Sequence, residues 1–368
     1  SGVCSHVWCL VWRRFQQEKM NVSSASHRAL LAFVTTAICG GFIFHKLFTK
    51  RNRSREDLLR KRRQIFGTKE EEERYYTNES LPGMPLLPIT SKNTLTKCSA
   101  MQCDGSEIFI CSYPKSGTTW TQNIVYTLVS KGDDQFTHIS EYAPFFEIDA
   151  TWEEGGELIA SIARNHQKIQ RRIFNTHLRW EQMPKHPGAR YVYLVRDGMD
   201  VCASFFYHLS SQVEGGYTGT SAQFLEEWLS GNIAFGKWSD HLKSWLGPDK
   251  IDERVLVVRY EELKSNLQET VSKIALHCKI SITEDEIIGL LPKFSFDYMR
   301  SHKSQFQPQS VTWKDGFQFI RKGEIGGHHE LFSIQQKVAF RRALIKEFPG
   351  QLCKQGMLHL ALESYQIC

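Results

Sequence analysis

Ten cysteines are spread through the 368 residues without one CxxC pair, and no His/Cys spacing suits tetrahedral zinc. A structural zinc site is therefore not expected, and we read the thiols as mostly free, which favours a reducing compartment. Cys98 and Cys103 are the pair best placed to be an exception. The G-x-x-x-x-G-K-[ST] loop of the nucleoside triphosphatases is missing as well, and so is any internal repeat. Charge of one sign is in no large excess: 46 Lys and Arg against 40 Asp and Glu leave +6, much of it in one block near the N-terminus. This balance does not argue for a nucleic-acid partner.

Long apolar runs are also scarce. The stretch ALLAFVTTAICGGFIFHKLF, Ala29 to Phe48, would span about 30 Å as a helix, roughly one hydrocarbon core. Its uninterrupted part contains Thr35, Thr36, Gly40 and Gly41, which makes it a marginal anchor. Lys46, Lys50, Arg51, Arg53 and Arg55 follow the run, and only Arg28 lies between Met20 and the run. That asymmetry speaks against a signal peptide and leaves the C-terminal bulk in the cytosol. We divide the chain into an N-terminal extension at 1–28, which begins at Ser1 and reads as an upstream translated segment or an incomplete end; a candidate transmembrane anchor at 29–48; a charged linker at 49–80; and a globular domain at 81–368. If the apolar segment does not insert, the protein is simply cytoplasmic.

What is present begins with an ordinary globular composition, 41% hydrophobic and 23% charged. Apolar runs at Ile108–Cys111, Tyr191–Val195 and Val255–Val258 read as buried strands, each followed by a helical pattern. Strands alternating with helices predict an α/β fold with a doubly wound parallel sheet flanked by helices, and ligands at the strands' C-terminal ends.

Three stretches suggest anion chemistry. YPKSGTTW, Tyr113 to Trp120, sits between the first strand and its helix, with Lys115, Ser116, Gly117, Thr118 and Thr119 at the opening of that helix. Free N–H groups and the positive end of the helix dipole favour a phosphate there. Arg196 and Ser204 flank a second strand-to-helix corner, where a guanidinium and a hydroxyl could clamp another phosphate; taken alone, Arg196 could equally pair with Asp197 or Asp200. Arg321, Lys322 and Gly323 open a late glycine-rich loop.

With these stretches in this order, the chain resembles the sulfotransferases that use 3′-phosphoadenosine 5′-phosphosulfate (PAPS), particularly the cytosolic type, over roughly Leu86 to Phe348. The resemblance implies a P-loop-like 5′-phosphosulfate loop in which Lys115, Gly117, Thr118 and Thr119 hold the 5′-phosphate. It implies that Arg196, Ser204, Arg321, Lys322 and Gly323 grip the 3′-phosphate, and that the adenine stacks on Trp120 and Phe296 with Tyr260 nearby. His177 in the stretch Thr176-His177-Leu178, at the end of a strand, would be the general base, and Lys115 would stabilise charge on the leaving phosphate. PAPS would be the co-substrate, no metal is called for, and the partner is a small, apolar hydroxyl acceptor.

The chain also departs from the family pattern. Asn175 stands where the family usually has a lysine, Gly326-Gly327-His328-His329 replaces the usual continuation of the late loop, and the family's dimerisation segment is matched only loosely. The loops at Ile139–Trp152 and Glu214–Thr220, rich in aromatics and glycine, are the candidate acceptor pocket and lid. Three other readings share these features: a lumenal Golgi-type enzyme acting on carbohydrate or protein, a nucleotide binder without transfer activity, and a kinase-like or phosphatase-like protein. Glycosylation at Asn78 would mark the lumenal case.

Overall fold

Strands β1 (Glu107–Ser112), β2 (Arg172–Thr176), β3 (Arg190–Val195) and β4 (Val255–Arg259) form one parallel sheet in the order β2-β1-β3-β4. The computed structural model describes residues 84–365 except 88, 154–156, 214–215, 248–251 and 351–356. These belong to the compact unit Glu73–Cys368, into which the domain read at 81–368 falls. The extension, anchor and linker expected at 1–28, 29–48 and 49–80 lie outside the described residues. Among the described residues, no helix is long and apolar enough to cross a membrane.

The strand sequences explain why the sheet is covered on both sides. Residues of β1 are buried without exception, as expected for a central parallel strand. Successive side chains point to opposite faces. Phe109, Cys111, Phe174, Tyr191 and Tyr193 thus enter one apolar cluster, while Ile108, Ile110, Ile173, Val192, Leu194 and Val258 enter a second. The sheet is doubly wound.

Helices α1 (Lys92–Ser99), α2 (Thr118–Val129), α3 (Glu157–Ile169), α4 (Gly198–Ser210), α5 (Ser221–Ser230) and α6 (Trp238–Leu246) precede β4. After it come α7 (Tyr260–Ser265), α8 (Leu267–His277), α9 (Glu284–Leu290), α10 (Phe296–Ser301), α11 (Ile334–Glu347) and α12 (His359–Leu362). Side chains from α4, α5, α6 and α11 fill the first cluster, and those from α2 and α8 fill the second. Asp197 starts α4 within two residues of β3, its Oδ1 accepting from the amides of Met199 and Asp200 at 3.0 Å each.

Cys98, Cys103, Cys111, Cys202 and Cys278 are free thiols. The expected exception is not formed: Cys98 Sγ lies against Phe146 O at 3.4 Å and Cys103 Sγ against Met101 O at 3.8 Å. Burial pushes the Cys98 thiol far above its ordinary range.

The centre of the first cluster is aromatic. Phe109 stacks on Tyr191 at 5.3 Å and Phe174 at 5.6 Å, and meets the edge of Phe146 at 5.2 Å. Phe109→Ala is expected to lower stability by about 3–5 kcal/mol in chemical denaturation. A loss below about 1 kcal/mol would show that the stack can close around the gap.

Candidate active site

The C-terminal ends of β1, β2 and β3 lead directly into the residues that matter. After β1 the chain turns through Lys115 and Gly117, both with positive φ (70° and 108°), and enters α2 with no side chain capping its first turn. Such a turn directs successive amides inward, and the uncapped helix end adds its own N–H groups, an arrangement suited to an anion. Only glycine fits at 117: a Cβ there would meet Tyr260 at 2.9 Å. Ser116 is buried, Thr118 Oγ1 bonds Ser112 Oγ at 3.0 Å, and Thr119 is half-buried at the mouth of the turn.

Two guanidinium groups face this turn. Arg196, directly after β3, donates to Lys115 O at 3.2 Å and to Glu324 O at 3.0 Å, and lies over the Tyr260 ring at 4.3 Å. Its Nε is buried without a partner among the described residues. Arg321 in the late loop lies over the Tyr207 ring at 4.1 Å. Burial, and then the charges of Arg196 and Arg321, bring Lys115 down to about 7. Ser204 stands half-buried on α4. Lys322 is turned to Glu330, with Nζ 2.6 Å from Oε1, so it is engaged outside this cluster.

The aromatic residues gather around the same turn. Trp120 donates Nε1–H to Phe294 O at 2.8 Å and meets Tyr260 edge-on at 5.6 Å. Phe296, half-buried at the start of α10, packs so tightly on Gly323 that a Cβ there would come within 2.6 Å of its ring. Gly323 has φ 62°, so both the space and the backbone angle demand glycine.

The Gly-Gly-His-His stretch has a defined anchor in Asp200 on α4. Asp200 Oδ2 accepts from Gly326 N at 2.7 Å, and Oδ1 accepts from His328 N at 3.0 Å and His328 Nδ1 at 2.9 Å. Arg196 approaches the same carboxylate at 3.9 Å, so the ion pair left open by the sequence exists beside the contacts to the turn. Asp197, Asp200 and His328 place ligand-type atoms within 4.8 Å of one another, yet both Asp200 oxygens already accept amide hydrogens.

His177 follows β2 and is held at three points. Its Nδ1–H donates to Ser112 O at 2.8 Å, which fixes the tautomer and leaves the lone pair on Nε2. Its amide donates to Glu147 Oε1 at 2.6 Å, and its carbonyl accepts from His241 Nε2–H at 3.1 Å. The lone pair of His241 Nδ1 in turn receives the Tyr193 hydroxyl at 2.9 Å. Burial lowers His177 to about 4, with Lys115 pushing the same way against the Ser112 hydrogen bond. Burial also raises Glu147 to about 8, against hydrogen bonds from His177 and Thr176. Phe145 and Phe235 flank the His177 ring at 5.3 and 5.2 Å.

Asn175 donates its amide to Ala143 O at 3.0 Å. Its backbone pairs with the segment around Phe145, with Asn175 N to Pro144 O at 3.0 Å and Phe146 N to Asn175 O at 2.8 Å. Of the proposed acceptor loops, the first is thereby joined to the edge of β2, and the second is described only in part. Sequence reasoning missed Glu147 as more than a loop residue, and it missed His208 and His241 altogether. None carries a local motif, and only the packing of α4, α6 and the 145–147 segment brings them to Lys115 and His177.

A profile of the sulfotransferase domain matches residues 106–350. The chain is 29% identical over 278 residues to sulfotransferase 1B1 of Mus musculus, covering 73% of this chain and 91% of that protein. It is 30% identical over 248 residues to a 3-beta-hydroxysteroid sulfotransferase of Cavia porcellus, covering 65% and 82%. Among solved structures, mouse sulfotransferase SULT7A1 complexed with PAP aligns with a TM-score of 0.59 at 24% identity over 77% of this chain and 97% of that one. Retinol dehydratase in a complex with retinol and PAP aligns with a TM-score of 0.58 at 19% identity, over 71% and 87%. Both structures share the fold. Since the domain profile runs from the start of β1 past the end of α11, the chain belongs to the sulfotransferase family.

Proposed function

We propose that this chain transfers the sulfuryl group of PAPS to a hydroxyl of a small, apolar acceptor, with His177 as general base. One observation carries the reading: a half-buried lysine shares the field of two arginines beside a histidine whose Nε2 has no partner among the described residues. That is a place for a polyanion next to a base. The neighbours that share the fold were solved with PAP, which supports the same donor.

In this reading the turn amides with Lys115, Ser116, Gly117, Thr118 and Thr119 hold the 5′-phosphosulfate end. Arg196, whose Nε has no partner among the described residues, takes the 3′-phosphate together with Ser204, Arg321 and Gly323, and Lys322 joins them by leaving Glu330. Trp120 and Phe296 stack on the adenine beside Tyr260. Phe145 and Phe235, which flank the His177 ring, provide the apolar wall for the acceptor.

His177 Nε2 accepts the hydroxyl proton as the acceptor oxygen bonds to sulfur. The bond from sulfur to the bridging oxygen breaks, its electron pair stays on the 5′-phosphate, and Lys115 with the α2 amides stabilises that charge. Ser112 O, Glu147 and His241 keep the imidazole aimed throughout the step. The same reading keeps the domain on the cytosolic side of the 29–48 segment; Asn78 is expected to remain unglycosylated in cells, and a glycan there would place the domain in a lumen.

His177→Ala should retain affinity for 3′-phosphoadenosine 5′-phosphate in calorimetry while transfer falls by about 10²–10⁴-fold. The nucleotide without its 3′-phosphate should bind far more weakly; equal affinity for both would remove the donor assignment. His177 must be neutral to act, so lowering the pH should not silence transfer until it nears about 4. Lys115 must be charged to hold the donor, so raising the pH through about 7 should weaken donor affinity in the free enzyme. A single acidic limb near about 6.5 would show that the base is an unburied imidazole.

Asn175→Lys places a cation beside the base at the end of β2 and is expected to raise kcat. An unchanged or lower kcat would mean that the Ala143 contact matters more than the charge.

A further inference from the structure

His208 takes no part in the chemistry derived above, yet it lies against Lys115. It belongs to the last turns of α4, and its Nδ1 is 3.2 Å from Lys115 Nζ. Its ring is enclosed by Trp313, Phe319 and Phe205, with centroids at 5.0, 6.0 and 6.5 Å. Phe319 also lies under the Lys115 ammonium at 4.3 Å. The enclosure is stitched to the end of α4, since Val213 N donates to Thr312 O and Lys314 N to Ser211 O, both at 2.9 Å.

The groups around this contact are cationic. Arg196 at the end of β3 and Arg321 from the late loop bear on Lys115, while Lys115 and His177 bear on His208. Burial, and then those charges, hold His208 well below its ordinary range, so its ring is neutral, and because an ammonium can only donate, the nitrogen 3.2 Å from Lys115 Nζ, Nδ1, is the one that holds the lone pair. An ammonium has three N–H donors; one given to Nδ1 leaves two for a phosphate. An aliphatic residue in place of His208 would offer the partly buried ammonium no acceptor. A carboxylate would offer one but cancel the field that draws an anion.

We propose that His208 is a positioning residue for Lys115: its Nδ1 accepts one ammonium N–H both before and after nucleotide binding, keeping the lysine charged and turned toward the 5′-phosphate. The proposal rests on the donor site described under Proposed function, in that Lys115 must meet that phosphate.

The test uses the full chain and 3′-phosphoadenosine 5′-phosphate, titrated calorimetrically at about pH 6 and about pH 8.5 into wild type, His208→Phe, His208→Met and His208→Gln. Thermal melts establish that each variant folds. The ligand's own titration is common to all four and cancels in the ratios. The Phe and Met variants lack a strong acceptor, so they should bind within about threefold of wild type at the lower pH and about tenfold more weakly at the higher one. His208→Gln, whose amide oxygen can accept, should stay within about threefold at both.

Equal weakening at both pH values would reduce His208 to packing and overturn the proposal. Tighter binding at the lower pH would overturn it as well, because it would mean that the lysine leaves His208 when the nucleotide enters. Wild type that binds at neither pH would sink the donor-site reading itself, an outcome distinguishable from the other two.

Discussion

Like charges brought together in a partly dry site repel, and the arrangement persists only where the fold spends other interactions on holding them. Lys115, Arg196 and Arg321 are in that position here. Most of their contacts leave the charge uncancelled: Arg196 donates to two backbone carbonyls, Arg196 and Arg321 rest on tyrosine faces and Lys115 rests on Phe319, while the carboxylate that Arg196 approaches at 3.9 Å, Asp200, is shared with the amides of the late loop. Aromatic faces and carbonyl oxygens attract a cation without neutralising it, so the local potential stays positive. A multiply charged anion of the kind proposed would supply the missing compensation, and its binding would relieve a tension that folding has already built in.

His177, the proposed base, obeys a complementary rule. His177 sits where a mobile imidazole would be of little use, because a proton acceptor must be aimed within a few tenths of an ångström. Its ring is pinned through Ser112 O, which belongs to the neighbouring strand β1. Its backbone is pinned by a buried carboxyl on one side and a buried histidine on the other. The parallel sheet makes this economical: three adjacent strands end at the same edge, so the Lys115–Gly117 turn, His177 and Arg196 arise without any long connection.

Much of the fold, and of the geometry at the sheet's edge, was legible in the sequence, for identifiable reasons. The three strands read from β-branched and aromatic runs appear with boundaries shifted by a residue or so, because both faces of the sheet are buried and the apolar pattern has no competing explanation. The turn at Lys115–Gly117 was legible because glycine and hydroxyls between a strand and a helix have few other uses. Residues whose importance depends on tertiary packing were not legible. His208 looks like any helical histidine, Glu147 like part of an aromatic loop, and His241 like a polar position on an amphipathic helix. The ordering of Gly326–His329 was also hidden, since nothing near that loop in sequence announces that Asp200, more than a hundred residues earlier, will receive its amides. Lys322 was grouped with its neighbours by motif alone, and its local partner Glu330 draws it aside.

Helix α4 carries more of the site than its apolar pattern suggests. Asp200 ties down the late loop, Tyr207 supports Arg321, and His208 meets Lys115, while Asp197 caps the helix itself. These positions lie on one rigid rod, so a shift that suits one of them displaces the rest. Substitutions along α4 should therefore not combine additively, and a change tolerated singly becomes costly beside a second. Divergence of this helix within a lineage would have to proceed by concerted replacement, which makes it a poor place to tune donor affinity one residue at a time and a natural place for covariation.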